Sequence, residues 1–338
     1  MQANPILAEV VRGNWVENRH RGAFCVVDAS GKVLASAGDV DRAIFPRSAF
    51  KAVQALAMFR SGAVDKFDLD QEMLALACAS HHGQSEHIAG VERFLDRIGL
   101  TVDDLECGAH PPINAEARNA LRNRGETPTA IHNTCSGKHA GMLAVARALG
   151  VSTLGYSRRT HNVQALVREC AEAVIGQPLS TDRCGVDGCS IPTWAAPLST
   201  LAAGFARMAS GEGLPAELAG AAATLFDAAT NRPFLVAGTG AFDNEAMGVF
   251  GGRLMIKSGA EGVFLGALRD KGLGFALKCD DGNLDAAEVM AAELLASVTD
   301  PNEEQRAFLA GRAVRTLHNW RRIAVGHLMA TEEARAQL

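Results

Sequence analysis

The stretch GAFCVVDASGKVLASAG, from Gly22 to Gly38, sets two apolar runs around a DASG turn, a β-hairpin pattern. Further on the period lengthens. In FPRSAFKAVQALAMFRSG, Phe50, Val53, Leu56 and Ala57 recur at helical spacing and the pattern stops near Gly62. Asp70 is placed to cap a short helix over QEMLALACAS, which runs into Ser80-His81-His82-Gly83. Residues 84–180 read as mainly helical, with loops at 101–115 and 125–134. The firmest helix is 136–150, rich in alanine and closed by Gly150, and another is expected over 161–175. Residues 181–198 read as an irregular loop and 199–229 as helix-rich. After 232 come glycine-punctuated, β-prone runs, including a strand leading into Ala237-Gly238-Thr239-Gly240. A helix over 284–298 follows, capped near Asp285, and 328–338 are expected to be loosely held.

Strand patterns at both ends of the chain and helical patterns between them predict an α+β fold. It is a mainly antiparallel sheet built from both termini and covered by helices, with a helical middle region. The 338 residues suffice for one catalytic unit. It is divisible into a sheet-containing part, 1–60 plus 232–338, and a mainly helical part, 61–231.

Composition narrows the function classes. The net charge of -5 has no basic run, and aromatics make up 5%, so no footprint for nucleic acid is present. No segment has the roughly 18 uninterrupted apolar residues of a membrane span. The first 22 residues lack a basic region followed by a long apolar run, so the expected location is the cytoplasm. Eight cysteines in such a chain suggest reduced thiols, most of them core filler and a few able to bind metal.

Several strings carry candidate chemistry. Ser48 and Lys51 stand at i and i+3 on a helix start and share one face. A serine hydroxyl becomes a good nucleophile once a base takes its proton, and a lysine desolvated among apolar neighbours can serve. Read alone, the pair is also a capped helix start with a solvated lysine. The spacing is the S-x-x-K of penicillin-binding proteins and serine β-lactamases, and Lys257-Ser258-Gly259 resembles their K-T-G strand. Their S-D-N motif is missing, but Ser80 falls in its place in chain order and could relay a proton between Ser48 and Lys257. It could equally close a helix end.

His132-Asn133-Thr134-Cys135-Ser136-Gly137-Lys138-His139-Ala140-Gly141 packs several reactive side chains into the mouth of a helix, where an anion is favoured and a thiol is acidified. Cys184-Gly185-Val186-Asp187-Gly188-Cys189 offers thiols at a spacing loose for zinc, with no second matching pair. A partial site combining Cys135 with Cys184 or Cys189 is open, as are two buried thiols. The turn at Gly238–Gly240 could present a backbone N–H of Gly240 to substrate, though it is not a phosphate loop.

Together, PRSAFK, HNTCSGKHAGML, GVDGCSIP, VAGTGAFD and IKSGAEGV resemble the Rhizobium-type (class 3) L-asparaginases, in family order from about residue 45 to 265. The resemblance implies a fold like that of serine β-lactamases and glutaminases. It also implies hydrolysis of L-asparagine to L-aspartate and ammonia by a homodimer. By motif, Ser48 is then the nucleophile, Lys51 its base, and Ser80 with Lys257 a second Ser–Lys pair. A zinc ion held by Cys135, Lys138 and Cys189 is implied nearby, positioning substrate more than activating water. Arg47, Asn133, His139 and Asp187 match substrate-site positions. Of these, Asp187 suits an α-ammonium and Arg47 an α-carboxylate. Two rival readings stand beside this one: a glutaminase or other serine amidohydrolase on the same scaffold, and a non-catalytic zinc- or redox-sensing protein built on Cys135, Cys184 and Cys189.

Overall fold

A computed structural model describes residues 3–338. Its backbone divides into a sheet unit, residues 3–49 with Ala196–Arg207 and Ile256–Leu338, and a helical unit, Phe50–Ala195 with Met208–Met255. The sheet part thus resumes at Ile256, and the segment 232–255 goes with the helices. No helix among the described residues is long and apolar enough to cross a membrane.

The sheet unit is built on eight strands: β1 (Ile6–Arg12), β2 (Trp15–Asp28), β3 (Val33–Ala37), β4 (Leu254–Gly259), β5 (Val263–Leu268), β6 (Leu273–Cys279), β7 (Val314–His318) and β8 (Ala324–Ala330). Their order is β7-β8-β1-β2-β6-β5-β4, with β3 beside β2. The pairings of β1, β2, β3, β6 and β8 are antiparallel, as both chain ends required. β2 has two partners in succession. His20 pairs with Ala8 of β1, and Gly22 with Cys279 of β6. Its inward run Ala23–Val27 is buried, whereas its first residues are largely exposed. The DASG turn forms where expected, with Asp28 accepting hydrogen bonds from Ser30 and Lys32 N–H groups. The helix Leu284–Val298 packs on β1, β5, β6 and β8. Asn283, not Asp285, caps it, because its Oδ1 reaches the Ala286 N–H at 2.9 Å.

The tail 328–338 is held, contrary to expectation. β8 is flanked by β1 and β7, and Thr331 both bonds the Ile6 carbonyl at 2.7 Å and caps the helix Glu332–Ala336.

In the helical unit, α1 (Lys51–Arg60) is the hub. It touches the helices Asn162–Ile175, Ala216–Asn231 and α2 (Ser136–Leu149). Every residue from Lys51 to Met58 is buried, so α1 has no polar face. Asp70 caps Gln71–Ala77 through the Glu72 and Met73 N–H groups, and Gly150 ends α2 in the left-handed region. The strand expected before Gly238 is a helix, Pro233–Ala237, and a second helix, Phe242–Phe250, follows. Pro233 opens the first of these at its favoured position. A four-residue apolar run is too short for its period to tell strand from helix. The irregular loop 181–198 contains a small hairpin, Cys184–Val186 against Pro192–Trp194.

Candidate functional site

In the sheet unit, a turn and a strand come together. Arg47–Phe50 is a 3-10 turn running straight into α1, with Arg47 in the left-handed region at φ 52° and Ser48 half-buried. Such a conformation strains a non-glycine residue and is often kept for position. The end of β4 lies against this turn. A Cβ on Gly259 would stand 2.8 Å from the Pro46 carbonyl oxygen and 3.0 Å from the Ala49 nitrogen. Only glycine admits this approach, so the Lys257-Ser258-Gly259 strand is seated directly on the backbone that carries Ser48. Lys257 is buried, and its Nζ donates to the Ser258 carbonyl at 2.9 Å.

The helical unit holds a buried polar cluster of its own. Lys51, the first residue of α1, is fully buried. Its Nζ donates to the Ala79 carbonyl and to Ser80 Oγ, the latter at 2.9 Å. The lysine expected to serve Ser48 therefore reaches the serine expected to work with Lys257. Ser80 is held from behind by its N–H on the Val236 carbonyl at 2.8 Å. Next to it, His81 takes the Gly83 N–H on Nδ1 and meets Ser136 Oγ with Nε2 at 2.8 Å. The Ser136 hydroxyl proton goes to the Ile131 carbonyl, so Nε2 must be the donor and the imidazole is neutral. Burial, with His87 and Lys51 nearby, holds its pKa well below the ordinary value, in agreement.

α2 starts against Leu76. A Cβ on Gly137 would lie 2.3 Å from the Leu76 carbonyl oxygen, so this glycine permits the helix mouth to approach the end of Gln71–Ala77. Asn133 shapes the preceding loop. Its Nδ2 donates to the Cys107 and Gly108 carbonyls and its Oδ1 accepts the Cys135 N–H, each at 2.9 Å. The amide offered as a substrate contact is thus spent on aiming Cys135.

Cys135, Lys138 and Cys189 come together, all buried. Lys138 Nζ donates to Cys189 Sγ at 2.9 Å. The hydrogen bond from Cys189 lowers the Cys135 pKa despite burial, and Lys51 and Lys138 add to it. The same bond, with burial, raises that of Cys189. Burial works against the Lys138 ammonium, but the two sulfurs outweigh it and raise its pKa. Of the two cysteines in the hairpin, Cys189 is the one that joins this set. Cys184 lies on the first hairpin strand and bonds its own loop at Gly185. Asp187 is half-buried and adds negative charge beside Lys138, while its Oδ1 accepts the Gly188 N–H.

His139 is oriented by Tyr156, the single tyrosine, which is fully buried. Tyr156 Oη accepts the Glu106 N–H at 3.0 Å and lies 2.6 Å from His139 Nδ1. Its own proton therefore goes to Nδ1, which leaves Nε2 carrying hydrogen. That N–H faces the Cys189 backbone. Burial, then Lys138 and Lys51, keep the ring neutral by pushing its pKa well down. His139 is hence a neutral donor, and its lone pair, taken by Tyr156, is not available to a metal. The donors that could hold zinc are the Cys135 and Cys189 sulfurs and the Lys138 amine. Gly240 is exposed in the turn ahead of Phe242–Phe250, beside Thr239, whose N–H and hydroxyl both bond the Gln84 amide. Tyr156, His81 and Gln84 were not among the expected site residues. The rarity of tyrosine in this chain was the one available sign.

Residues 8–330 match the family described as L-asparaginase II, which makes the protein an amidohydrolase. The chain belongs to the L-asparaginase II family. No curated protein matches it. Among solved structures, a β-lactamase from Mycobacterium bovis is similar at 17% identity and a TM-score of 0.43, over 82% of this chain and 94% of that one. Mglu in its native form is similar at 17% identity and a TM-score of 0.46, over 88% and 69% respectively. Simvastatin synthase from Aspergillus terreus is similar at 13% identity and a TM-score of 0.39, over 77% and 86%.

Proposed function

We propose that the protein hydrolyses L-asparagine to L-aspartate and ammonia through an acyl-enzyme on Ser48, working as a homodimer in the cytoplasm. The observation that carries this reading is Lys51. A fully buried lysine opens the helix that the Ser48 turn feeds, and it is already bonded to Ser80. Burial is the setting in which a lysine acts as a base.

Lys51 takes the proton of Ser48, whose Oγ attacks the side-chain amide carbon. The Ser48 N–H helps hold the oxyanion. Ser80 and Lys257 return a proton to the departing ammonia, and water then cleaves the β-aspartyl ester. His139 Nε2–H and Arg47 are donors suited to the substrate carboxylate, Asp187 suits its ammonium, and the Gly240 turn offers backbone N–H groups. Cys135, Lys138 and Cys189 would hold zinc, which would supply a fixed positive charge for placing the substrate. Loading it requires the lysine and the thiols to give up their protons, so the site binds more tightly as pH rises.

Side-by-side assays with L-asparagine, L-glutamine and nitrocefin test the substrate. The expected result is ammonia release that is fastest with L-asparagine. Faster turnover of L-glutamine, or nitrocefin cleavage without ammonia release from either amino acid, would overturn the assignment.

A further inference from the structure

A second set of ligand-type side chains converges in the sheet unit, outside the thiol cluster described above. His20 lies where β2 changes partner from β1 to β6, and Cys279 is the last residue of β6. The chain then turns through Asp281 to the helix cap Asn283. His20 Nδ1 and Asp281 Oδ2 are 2.7 Å apart, and the Cys279 thiol donates to Asp281 Oδ1 at 3.0 Å. One nitrogen, one sulfur and one carboxylate oxygen lie within 4.8 Å of one another. His20 and Cys279 are buried, while the Asp281 side chain is 48% exposed and opens the cluster to solvent. Neighbouring cations are engaged elsewhere. Lys278 Nζ donates to the Glu261 and Cys279 carbonyls, and Arg42 pairs with Asp280 at 3.5 Å.

We infer that His20, Cys279 and Asp281 form a divalent-cation site whose preferred occupant is zinc. Imidazole, thiolate and carboxylate are the three donor types zinc takes, and the sulfur disfavours magnesium and calcium. Three protein donors leave a coordination position for water on the Asp281 side. Binding forms a metal–sulfur bond and releases the Cys279 thiol proton to solvent. The ion would tie β2 to the end of β6 across the place where the sheet changes partner. Because the unfolded chain lacks this geometry, zinc bound here stabilises the fold.

The test uses the full chain, stripped with chelator, dialysed, and titrated with Zn²⁺ and with Co²⁺. Wild type, Cys279→Ser and Asp281→Asn are compared. Asp281→Asn keeps the Oδ1 that accepts the Asn283 N–H, so the turn persists even if the buried serine variant folds poorly. Each variant should take up one equivalent less zinc than wild type, whatever the Cys135 cluster binds. Cys279→Ser should also lose part of the Co²⁺–thiolate absorption. The affinity lost should exceed the roughly 10–100-fold that follows removal of an outer partner. Equal zinc uptake by wild type and Asp281→Asn would overturn the inference and reduce the cluster to a plain hydrogen-bond network.

Discussion

The two units handle buried polar groups in different ways. In the sheet unit they are fewer, among them Asn4, His20 and Lys257. In the helical unit Lys51, His81, Ser136, Lys138 and His139 are all buried and gathered where loops meet helix starts. Burying such groups is costly unless each finds a partner. Here the partners form chains: Lys51 to Ser80, His81 to Ser136 to Ile131, Tyr156 to His139, and Lys138 to Cys189. The sheet unit supplies a rigid seat for the Ser48 turn, whereas the helical unit stores the protons and charges. The seat tolerates change badly because it is backbone against backbone. The store should respond to pH and to single-atom deletions.

The largest effect is expected from Lys51→Met, which removes the charge of the store and keeps most of the volume. Ammonia release should fall by roughly 10²–10⁴-fold, as on loss of a general base. Activity near that of wild type would remove Lys51 from the chemistry and leave it as a structural tie for the Ala79–Ser80 backbone. Gly259→Ala tests the seat. Its Cβ would meet the Pro46 and Ala49 backbone, and the Ser48 turn would have to shift. A misplacement near 1 Å costs on the order of 100-fold in rate. Gly248→Ala, with open space around it in the helix Phe242–Phe250, is the matched control and should leave activity unchanged. If both variants behave alike, the seat does not position Ser48.

Tyr156→Phe deletes one oxygen from the store. His139 loses the group that fixes its tautomer, and the Glu106 N–H loses its acceptor. The fold should lose about 1–3 kcal/mol by urea denaturation. kcat/KM should drop roughly tenfold, mostly through KM, if His139 contacts substrate. A change in stability with unaltered kinetics would confine Tyr156 to packing.

The smallest effect is with pH. His81 and His139 have folded pKa values well below 6.5, with burial the main cause. The unfolded chain therefore binds protons that the folded chain does not. Their contribution to stability is complete above the unfolded value and is lost as pH falls below about 6.5. Urea unfolding at pH 7.5 and 5.5, at settings chosen to straddle about that value, should show the loss. His81→Gln should reduce it.

Periodic segments were legible in the sequence and the polar store was only partly so. The Gly22–Gly38 hairpin, the Asp70 cap and the Ser136–Leu149 helix all follow from local pattern and cap chemistry. The hub role of α1 does not, because a helix buried on every side has no stripe to read. Phe234–Ala237 is read as a strand from its β-prone residues, but the run is too short for its period to decide, and it is a helix opened by Pro233. The density of functional groups in the HNTCSGKHAG string marked it as special. Yet that density does not reveal that Asn133 spends its amide on the loop, or that Tyr156, 17 positions beyond His139, supplies the missing proton. The Lys51–Ser80 bond likewise depends on where the end of Gln71–Ala77 places Ser80, a long-range fact.

Ser48→Ala is the most direct test of the central claim. The turn carrying Ser48 is half-buried, and loss of one oxygen there should leave circular dichroism and thermal melting unchanged. Wild-type protein should release ammonia from L-asparagine and the variant should release almost none. A Ser48→Ala protein that releases ammonia at the wild-type rate would contradict the account, and the nucleophile would have to be sought elsewhere in the molecule.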